Sequence, residues 1–150
     1  MDAVLGGWNF SGISRFESGL PFTVTADDPL LYADFNQDRP DQVGDPNVPN
    51  QNRFHWFNPA AFVDAQAVGR QGLVHHNSLR GPGFYQLDLS LGKVFQITET
   101  KSLEFQWQNY NATNHVNLVN PDSYIHSDTA GQIFGAGDMR QMQFGLHFRF

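Results

Sequence analysis

The sequence predicts an all-β protein, an antiparallel meander of about four long strands with two long loops. Three observations predict it: four segments with alternating apolar and polar residues, one short connection, and two long connections rich in Pro, Asn, Asp and Gly. Side chains on a strand point alternately to opposite faces, so this alternation gives every strand one apolar and one polar face. The strands are predicted over about residues 5–18, 84–94, 102–112 and 141–150.

The first predicted strand is the least regular of the four. Trp8, Phe10 and Phe16 share one face, but Gly12 and Ser14 interrupt it. The opposite face carries the polar residues Asn9, Ser11, Arg15 and Glu17, together with the apolar Ile13. After Gly19, a candidate continuation of the same strand runs through residues 21–25.

The second and third predicted strands alternate cleanly. In the second, leucines and a tyrosine alternate with polar or small residues: Tyr85, Leu87, Leu89 and Leu91 against Gln86, Asp88, Ser90 and Gly92. In the third, the corresponding sets are Leu103, Phe105 and Trp107 against Glu104, Gln106 and Gln108. Each strand therefore has one face suited to an apolar environment and one suited to water.

The fourth predicted strand consists of the last ten residues. Its apolar positions, Met142, Phe144, Leu146, Phe148 and Phe150, all share one face. A terminal strand this aromatic, ending on Phe, is typical of outer-membrane β-barrels. All four strands approach the roughly 9–11 residues that a tilted strand needs to cross a bilayer. We therefore expect the meander to be a segment of a transmembrane β-barrel in a bacterial outer membrane.

The lengths of the connections predict an orientation. A short turn at about residues 96–101 joins strands two and three, whereas the other connections span about residues 26–83 and 113–140. Outer-membrane barrels have short periplasmic turns and long external loops, so both long segments are expected outside. Barrels need about eight strands or more, and an open sheet edge is not tolerated in hydrocarbon. We expect a larger chain to supply the missing strands; assembly from several four-stranded copies is the weaker alternative.

Composition narrows the function classes. The net charge of −6 argues against nucleic acid as a partner, because phosphate binding needs a basic surface. The absence of cysteine removes disulfides, thiolate metal sites and cysteine nucleophiles. Residues 1–8 lack the basic and apolar regions of a signal peptide, so an outer-membrane location implies that these 150 residues are not the complete precursor.

A series of short phrases resembles one family in order along nearly the whole chain. These phrases are GWNFSGI (7–13), SGLPFTV (18–24), DRPDQVGDP (38–46), WFNPAAF (56–62), LRGPGF (79–84), LDLSL (87–91), FQWQNYNATNH (105–115) and RQMQFGL (140–146). They are similar to the end of TonB-dependent receptors of the Oar-like type. The resemblance implies the C-terminal part of a large outer-membrane barrel that imports a ligand. We predict no cofactor.

The resemblance also implies partners. They are the lipid bilayer, the remaining barrel strands and an N-terminal plug, the TonB system acting through that plug, and the barrel-assembly machinery. Phe144, Phe148 and Phe150 would form the signal that the assembly machinery reads. The TonB-contacting segment, the plug and most strands have no counterpart in these 150 residues.

The candidate ligand contacts lie on the predicted polar face and in the first long loop. Arg15, Glu17, Asp88, Glu104 and Gln106 would line the barrel lumen, where most such groups are simply hydrated or paired. In the loop, Trp56, Phe57 and Arg39 are candidate ligand-binding residues, because exposed aromatic side chains can stack on a sugar or anchor a partner. The alternative is that the aromatic residues pack the loop onto itself.

Metal binding and catalysis have weaker support. Asp34, Asn36, Asp38 and Asp45 have the alternate and twelfth-position spacing of a Ca²⁺ loop, but the sixth position is Arg39 rather than Gly. Asx-turns explain the same residues. His75 and His76 are adjacent, without an obvious third ligand, and no nucleophile elbow or catalytic triad is found, so no enzyme is predicted.

A different class of protein fits the same alternation. A secreted β-sandwich that binds carbohydrate through Trp56, Phe57 and Tyr85 would also have one apolar face per strand. In that protein the Phe and Leu stripes would meet in one core, whereas in a membrane barrel they would face lipid.

Overall fold

The computed structural model describes residues 6–27, 38–65 and 71–150. This part of the chain is all-β apart from one turn of 3₁₀ helix, Pro59–Ala61. Within these residues, no helix is long and apolar enough to cross a membrane. The strands are β1 (Trp8–Glu17), β2 (Pro21–Phe22), β3 (Asp41–Gln42), β4 (Phe62–Val63), β5 (Leu79–Arg80), β6 (Phe84–Gln96), β7 (Ser102–Tyr110) and β8 (Gln141–Arg149).

The four long strands form one antiparallel sheet in the order β1-β6-β7-β8. This confirms the predicted fold class. β1 and β8 are the edge strands and do not pair with each other, so the sheet is open. β6 extends to Gln96, and β7 ends at Tyr110 because Asn111 adopts a left-handed conformation with φ of 49°.

The predicted continuation of the first strand through residues 21–25 is wrong. β1 ends at Glu17, and Pro21–Phe22 instead pairs with Leu79–Arg80 in a separate two-stranded sheet. The chain passes so close to a neighbouring segment at Gly19 that a Cβ there would lie 1.7 Å from the Gly81 carbonyl oxygen. Only glycine allows this approach of two backbones.

The described chain divides into two compact units. The sheet unit contains the four long strands and comprises residues 6–17, 84–117 and 138–150. The loop unit comprises the described residues of 18–83 and residues 118–137. The two predicted long loops therefore contribute most of their described residues to one folded unit.

The loop unit has its own hydrophobic core. Its buried members are Phe22, Val24, Phe57, Ala61, Phe62 and Val74, with Trp56, Leu79 and Ile125 packed against them. The 3₁₀ helix begins at Pro59 after Asn58, whose side chain accepts a hydrogen bond from the Ala60 N–H at 3.2 Å. Short strands and one helical turn, rather than long alternating segments, bring these apolar residues together, which explains why the sequence pattern predicted only loops.

Candidate functional site

The apolar faces of the four long strands coincide in the sheet. Directly paired residues lie on the same face of an antiparallel sheet, and one row of pairs crosses all four strands: Phe10, Leu91, Trp107 and Phe144. Phe10 is 66% exposed, Phe144 67% and Leu146 68%. An exposed face of this kind is the opposite of what the sandwich alternative requires, and it fits contact with lipid acyl chains.

The opposite face is polar across the same strands. Its central row is Ser11, Ser90, Gln108 and Gln143, and its next row is Asn9, Gly92, Gln106 and Gly145. The five candidate lumen residues all lie on this face, as the register shows. The register therefore places them together on one surface, and their contact with a lumen stays a prediction.

Hydrogen bonds pair the candidate lumen residues with near neighbours. Arg15 Nε donates to Glu17 Oε1 at 2.5 Å, and the Asp88 carboxylate accepts the Gln86 amide at 2.9 and 3.0 Å. Asp88 Oδ1 also accepts the backbone N–H of Asn111 at 2.9 Å, which ties the end of β7 to β6. These carboxylates consequently support the local structure of the sheet.

Glu104 forms a second polar cluster near the other end of the sheet. Its Oε1 accepts the Gln106 side-chain amide at 2.9 Å, and its Oε2 accepts Arg149 Nη2 at 2.8 Å. His147 is paired directly opposite Glu104 in the register. The polar face therefore offers a compact set of acidic, basic and amide groups rather than one excess charge.

Lys93 is a feature of the apolar face that the sequence pattern did not single out. It follows the leucine series of β6 on the same face and is 1% exposed. Its Nζ donates to the Gly6 carbonyl and lies 4.9 Å from the Trp8 ring centroid and 5.3 Å from that of Phe95. Lys93 has an odd residue number, like Leu87, Leu89 and Leu91 of β6, so the alternation alone could have placed it on the apolar face. A lysine that reaches from an apolar face to a carbonyl beside aromatic rings fits the boundary of a bilayer.

The predicted assembly residues lie at the chain end of the apolar face. Phe144 and Phe148 belong to β8, and Phe150 follows the strand with 93% exposure. The rings of Phe148 and Phe150 stack with centroids 6.2 Å apart. This exposed aromatic end is available to a partner, and recognition by the assembly machinery stays a prediction.

Two asparagines beyond β7 carry hydrogen bonds that the sequence reasoning did not anticipate. Asn111 is buried, and its side chain donates to the carbonyls of His115 and Asp138 at 2.9 and 3.1 Å. Asn117 bonds both backbone groups of Tyr85, at 2.8 and 2.9 Å, as a neighbouring strand would. The tolerance of asparagine for left-handed backbone was the available sequence clue at Asn111.

The candidate ligand residues of the loop unit occupy different environments. Phe57 is 2% exposed, with its ring between Phe22 and Phe62 at centroid distances of 5.8 and 6.0 Å. Trp56 lies at the edge of this core and donates its indole N–H to the Arg80 carbonyl at 2.8 Å. The packing of Phe57 agrees with the alternative that the aromatic residues fold the loop onto itself.

The Arg39 side chain bonds different residues from those that Trp56 bonds. Its guanidinium donates to the Val74 carbonyl at 3.0 Å and to the Gln71 side chain at 2.8 Å. The group thereby links two segments of the loop unit. Ligand binding by Arg39, Trp56 and Phe57 stays a prediction, and most of the Phe57 ring is buried in the core of the loop unit.

A polar cluster in the loop unit was missed by the sequence reasoning. His126 Nε2 lies 2.7 Å from Asp64 Oδ1 and 3.9 Å from Asp27 Oδ2, and the Tyr124 hydroxyl donates to Asp27 Oδ1 at 2.5 Å. The hydrogen bond with Asp64 is the main cause that raises the pKa of His126; partial burial opposes the shift, and both carboxylate charges reinforce it. The residues are distant in sequence, so only folding reveals the cluster.

Only two of the four candidate Ca²⁺ ligands, Asp38 and Asp45, lie within the described residues. Asp34 and Asn36 lie outside the described residues. Asp38 Oδ1 accepts the N–H of the next residue, Arg39, at 2.7 Å. Asp45 Oδ1 accepts the Asn47 N–H at 2.9 Å, as in an Asx-turn. Among the described residues, which include the exposed His75 and His76, no group of three or more His, Asp or Glu side chains is arranged to hold a metal ion.

Comparison with known families agrees with the geometry of the sheet. A family model described as an outer membrane beta barrel domain matches residues 1–143 of the chain. No curated protein and no solved structure matches it. The family match and the open, two-faced sheet therefore point to the same kind of protein.

Proposed function

Because this chain belongs to the outer membrane beta barrel domain family, we propose that it is the C-terminal barrel segment of a TonB-dependent receptor that imports a ligand across the outer membrane. Membership of the family implies the bacterial outer membrane as the location of the protein and lipid as the environment of its strands. Import, the TonB system and the identity of the ligand belong to the proposal.

The observation that carries the proposal is the open four-stranded sheet with an exposed apolar face and a polar face. In hydrocarbon, every strand needs a hydrogen-bonded neighbour on both sides, so the free edges of β1 and β8 require further strands. A large receptor barrel supplies such strands and also encloses a lumen wide enough for a plug. The polar face, with Arg15, Glu17, Asp88, Glu104 and Gln106, then lines that lumen.

The loop unit supports a receptor rather than a simple pore. Its separate hydrophobic core and its hydrogen bonds between distant segments make it a folded unit, which supports a role in ligand binding. In the proposed orientation, the short turn between β6 and β7 faces the periplasm and the loop unit faces the outside. Residues 26–83 and 113–140 would set the specificity for the ligand.

Single cysteines test the orientation, because the chain contains no cysteine of its own. Val43→Cys lies in the loop unit and Glu99→Cys lies in the short turn, and both positions are exposed. A membrane-impermeant maleimide is expected to label the Val43→Cys protein on intact cells. The Glu99→Cys protein should be labelled only after the outer membrane is permeabilised. The reverse pattern would refute the proposed topology.

Co-purification tests whether the protein is coupled to the TonB system. The intact outer-membrane protein that carries this chain, solubilised in detergent, is expected to bind the periplasmic domain of TonB through its plug. A barrel protein of the same cells that works without TonB provides the control. If the protein that carries this chain binds no TonB, or if it binds no more TonB than the control barrel does, the TonB part of the proposal is refuted. The barrel assignment would still stand.

A further inference from the structure

A cleft opens in the loop unit beside Trp56 and β5. It has a volume of about 370 Å³, and its lining includes Asn47, Gln51, Trp56, Ser78 and Arg80. Pockets for small ligands typically range from about 300 to 1,000 Å³. The cleft is therefore large enough for one small polar ligand or one unit of a longer chain.

The walls of the cleft are held in place by hydrogen bonds within the loop unit. Arg80 is fixed by pairing with Pro21, and its Nη1 donates to the Gly19 carbonyl at 3.2 Å. The backbone of Trp56 donates to the Gly131 carbonyl at 2.9 Å, while its indole N–H is held by the Arg80 carbonyl. A site that is rigid before binding loses less entropy when it captures a ligand.

The groups that line the cleft are complementary to a sugar. The Trp56 indole contributes an apolar ring surface, because its N–H is already engaged with the protein. The Gln51 amide donates to the Trp56 carbonyl at 2.8 Å, so its side-chain oxygen remains an acceptor for a hydroxyl. Ser78 adds a hydroxyl that can both donate and accept.

The charge of the cleft indicates an acidic ligand. None of its described lining residues is acidic, and Arg80 is its cation, in a protein whose net charge is −6. One guanidinium nitrogen bonds Gly19, which leaves other N–H donors of the planar group for a carboxylate. An acidic sugar would add a charge-assisted hydrogen bond with Arg80 that a neutral sugar lacks.

We propose that this cleft binds an acidic saccharide, with a sugar ring stacked on Trp56, the carboxylate on Arg80 and hydroxyls bonded to Gln51 and Ser78. The inference rests on the proposed receptor function and names the class of its ligand. Phe57 and Leu79, which belong to or pack against the core of the loop unit, also line the cleft.

The test measures binding of trigalacturonate and of its methyl ester to the intact outer-membrane protein in detergent by calorimetry. The acid is expected to bind at least about tenfold more tightly than the ester, since the ester lacks the charge that Arg80 recognises. Arg80→Met should abolish this preference and the weakening of acid binding by added NaCl. Trp56→Ala should weaken both probes.

Matched variants separate binding from folding. Arg53→Met removes another arginine of the loop unit, one that stacks on Phe54 outside the cleft, and should leave binding unchanged. Gln51→Ala changes an exposed side chain and should weaken both probes. If Arg80→Met makes the loop unit sensitive to protease, Gln51→Ala and the acid-to-ester ratio of the unaltered protein decide the question.

The outcomes distinguish this inference from the proposed function. Equal binding of acid and ester, or absence of binding at millimolar concentrations, overturns the acidic-saccharide inference even if the protein binds TonB. Tight binding of trigalacturonate that depends on Arg80, in a protein without TonB coupling, keeps the inference and refutes the import function.

Discussion

Replacing Phe57 by Ala should open the loop unit without disturbing the sheet. Phe57 is 2% exposed, and its ring lies 5.8 and 6.0 Å from those of Phe22 and Phe62. Truncation of a buried Phe to Ala typically costs about 3–5 kcal/mol, from lost transfer free energy and the cavity left behind. Since about 1.4 kcal/mol is a factor of ten, the open population of the loop unit should rise by at least about 100-fold.

Limited proteolysis of the intact protein in detergent measures this population. The cleavage rate follows the population of the opened state when opening and closing are fast compared with cleavage. Mass spectrometry should locate the new cuts in the described residues of the loop unit. Heat-modifiable mobility on gels, which reports the folded barrel, should stay unchanged because the substitution lies outside the sheet unit.

Phe54→Ala is the matched control, because it makes the same chemical change three positions away. Phe54 is 59% exposed and has the Arg53 guanidinium 4.8 Å from its ring centroid. An exposed contact of this kind contributes about 0.5–1 kcal/mol, so cleavage should rise only a few-fold. Equal cleavage rates for the two variants would refute the claim that the loop unit is stabilised by its own core.

The other predictions concern the sheet, its connections, pH and assembly. Phe144→Arg should destabilise the inserted protein by about 2–4 kcal/mol if that residue lies near the bilayer midplane. Gln143→Arg, on the opposite face, should be tolerated; equal unfolding midpoints in denaturant would contradict the assignment of the faces. Asn111→Ala should cost about 1–3 kcal/mol in the same assay, because it removes a buried side chain together with its hydrogen bonds to the carbonyls of His115 and Asp138. The raised pKa of His126 means that its pairing with Asp64 stabilises the loop unit fully below the ordinary histidine pKa, and that this stabilisation is lost as the pH rises through the folded-state value. His126→Gln should remove that part of the pH dependence of protease resistance, and an unchanged pH profile would exclude the role. Phe150→Ala should lower the amount of heat-modifiable protein in the outer membrane while synthesis continues; unchanged levels would exclude Phe150 from the assembly signal.

The sheet was predictable because its information is local. Alternation with a period of two identifies the apolar and polar faces of each strand, and a short turn makes β6 and β7 neighbours. The same rule could have placed Lys93 on the apolar face, but its contacts with Trp8 and Phe95 depend on how the strands pair. The pattern alone therefore could not show how a cation is accommodated there.

The loop unit was not predictable because its interactions join residues far apart in sequence. Trp56 bonds Arg80, His126 bonds Asp64, and Phe22 packs on Phe57. The intervening segments have no regular period, so nothing local distinguishes them from solvated loops. Phe57 was predicted to be an exposed aromatic residue because its packing partner Phe22 is far away in sequence. In the structure it is a core residue.

By itself, the sequence determined the all-β class, the two faces of the four strands and the unequal connections, because alternation and turn residues act over a few positions. Tertiary structure alone decided the register that aligns Phe10, Leu91, Trp107 and Phe144 in one row. It also decided that the long connections fold into a unit with a core, a histidine–aspartate cluster and a cleft. The physical reason is that burial and hydrogen bonding depend on which distant segments meet, and that information resides in no single stretch of the chain.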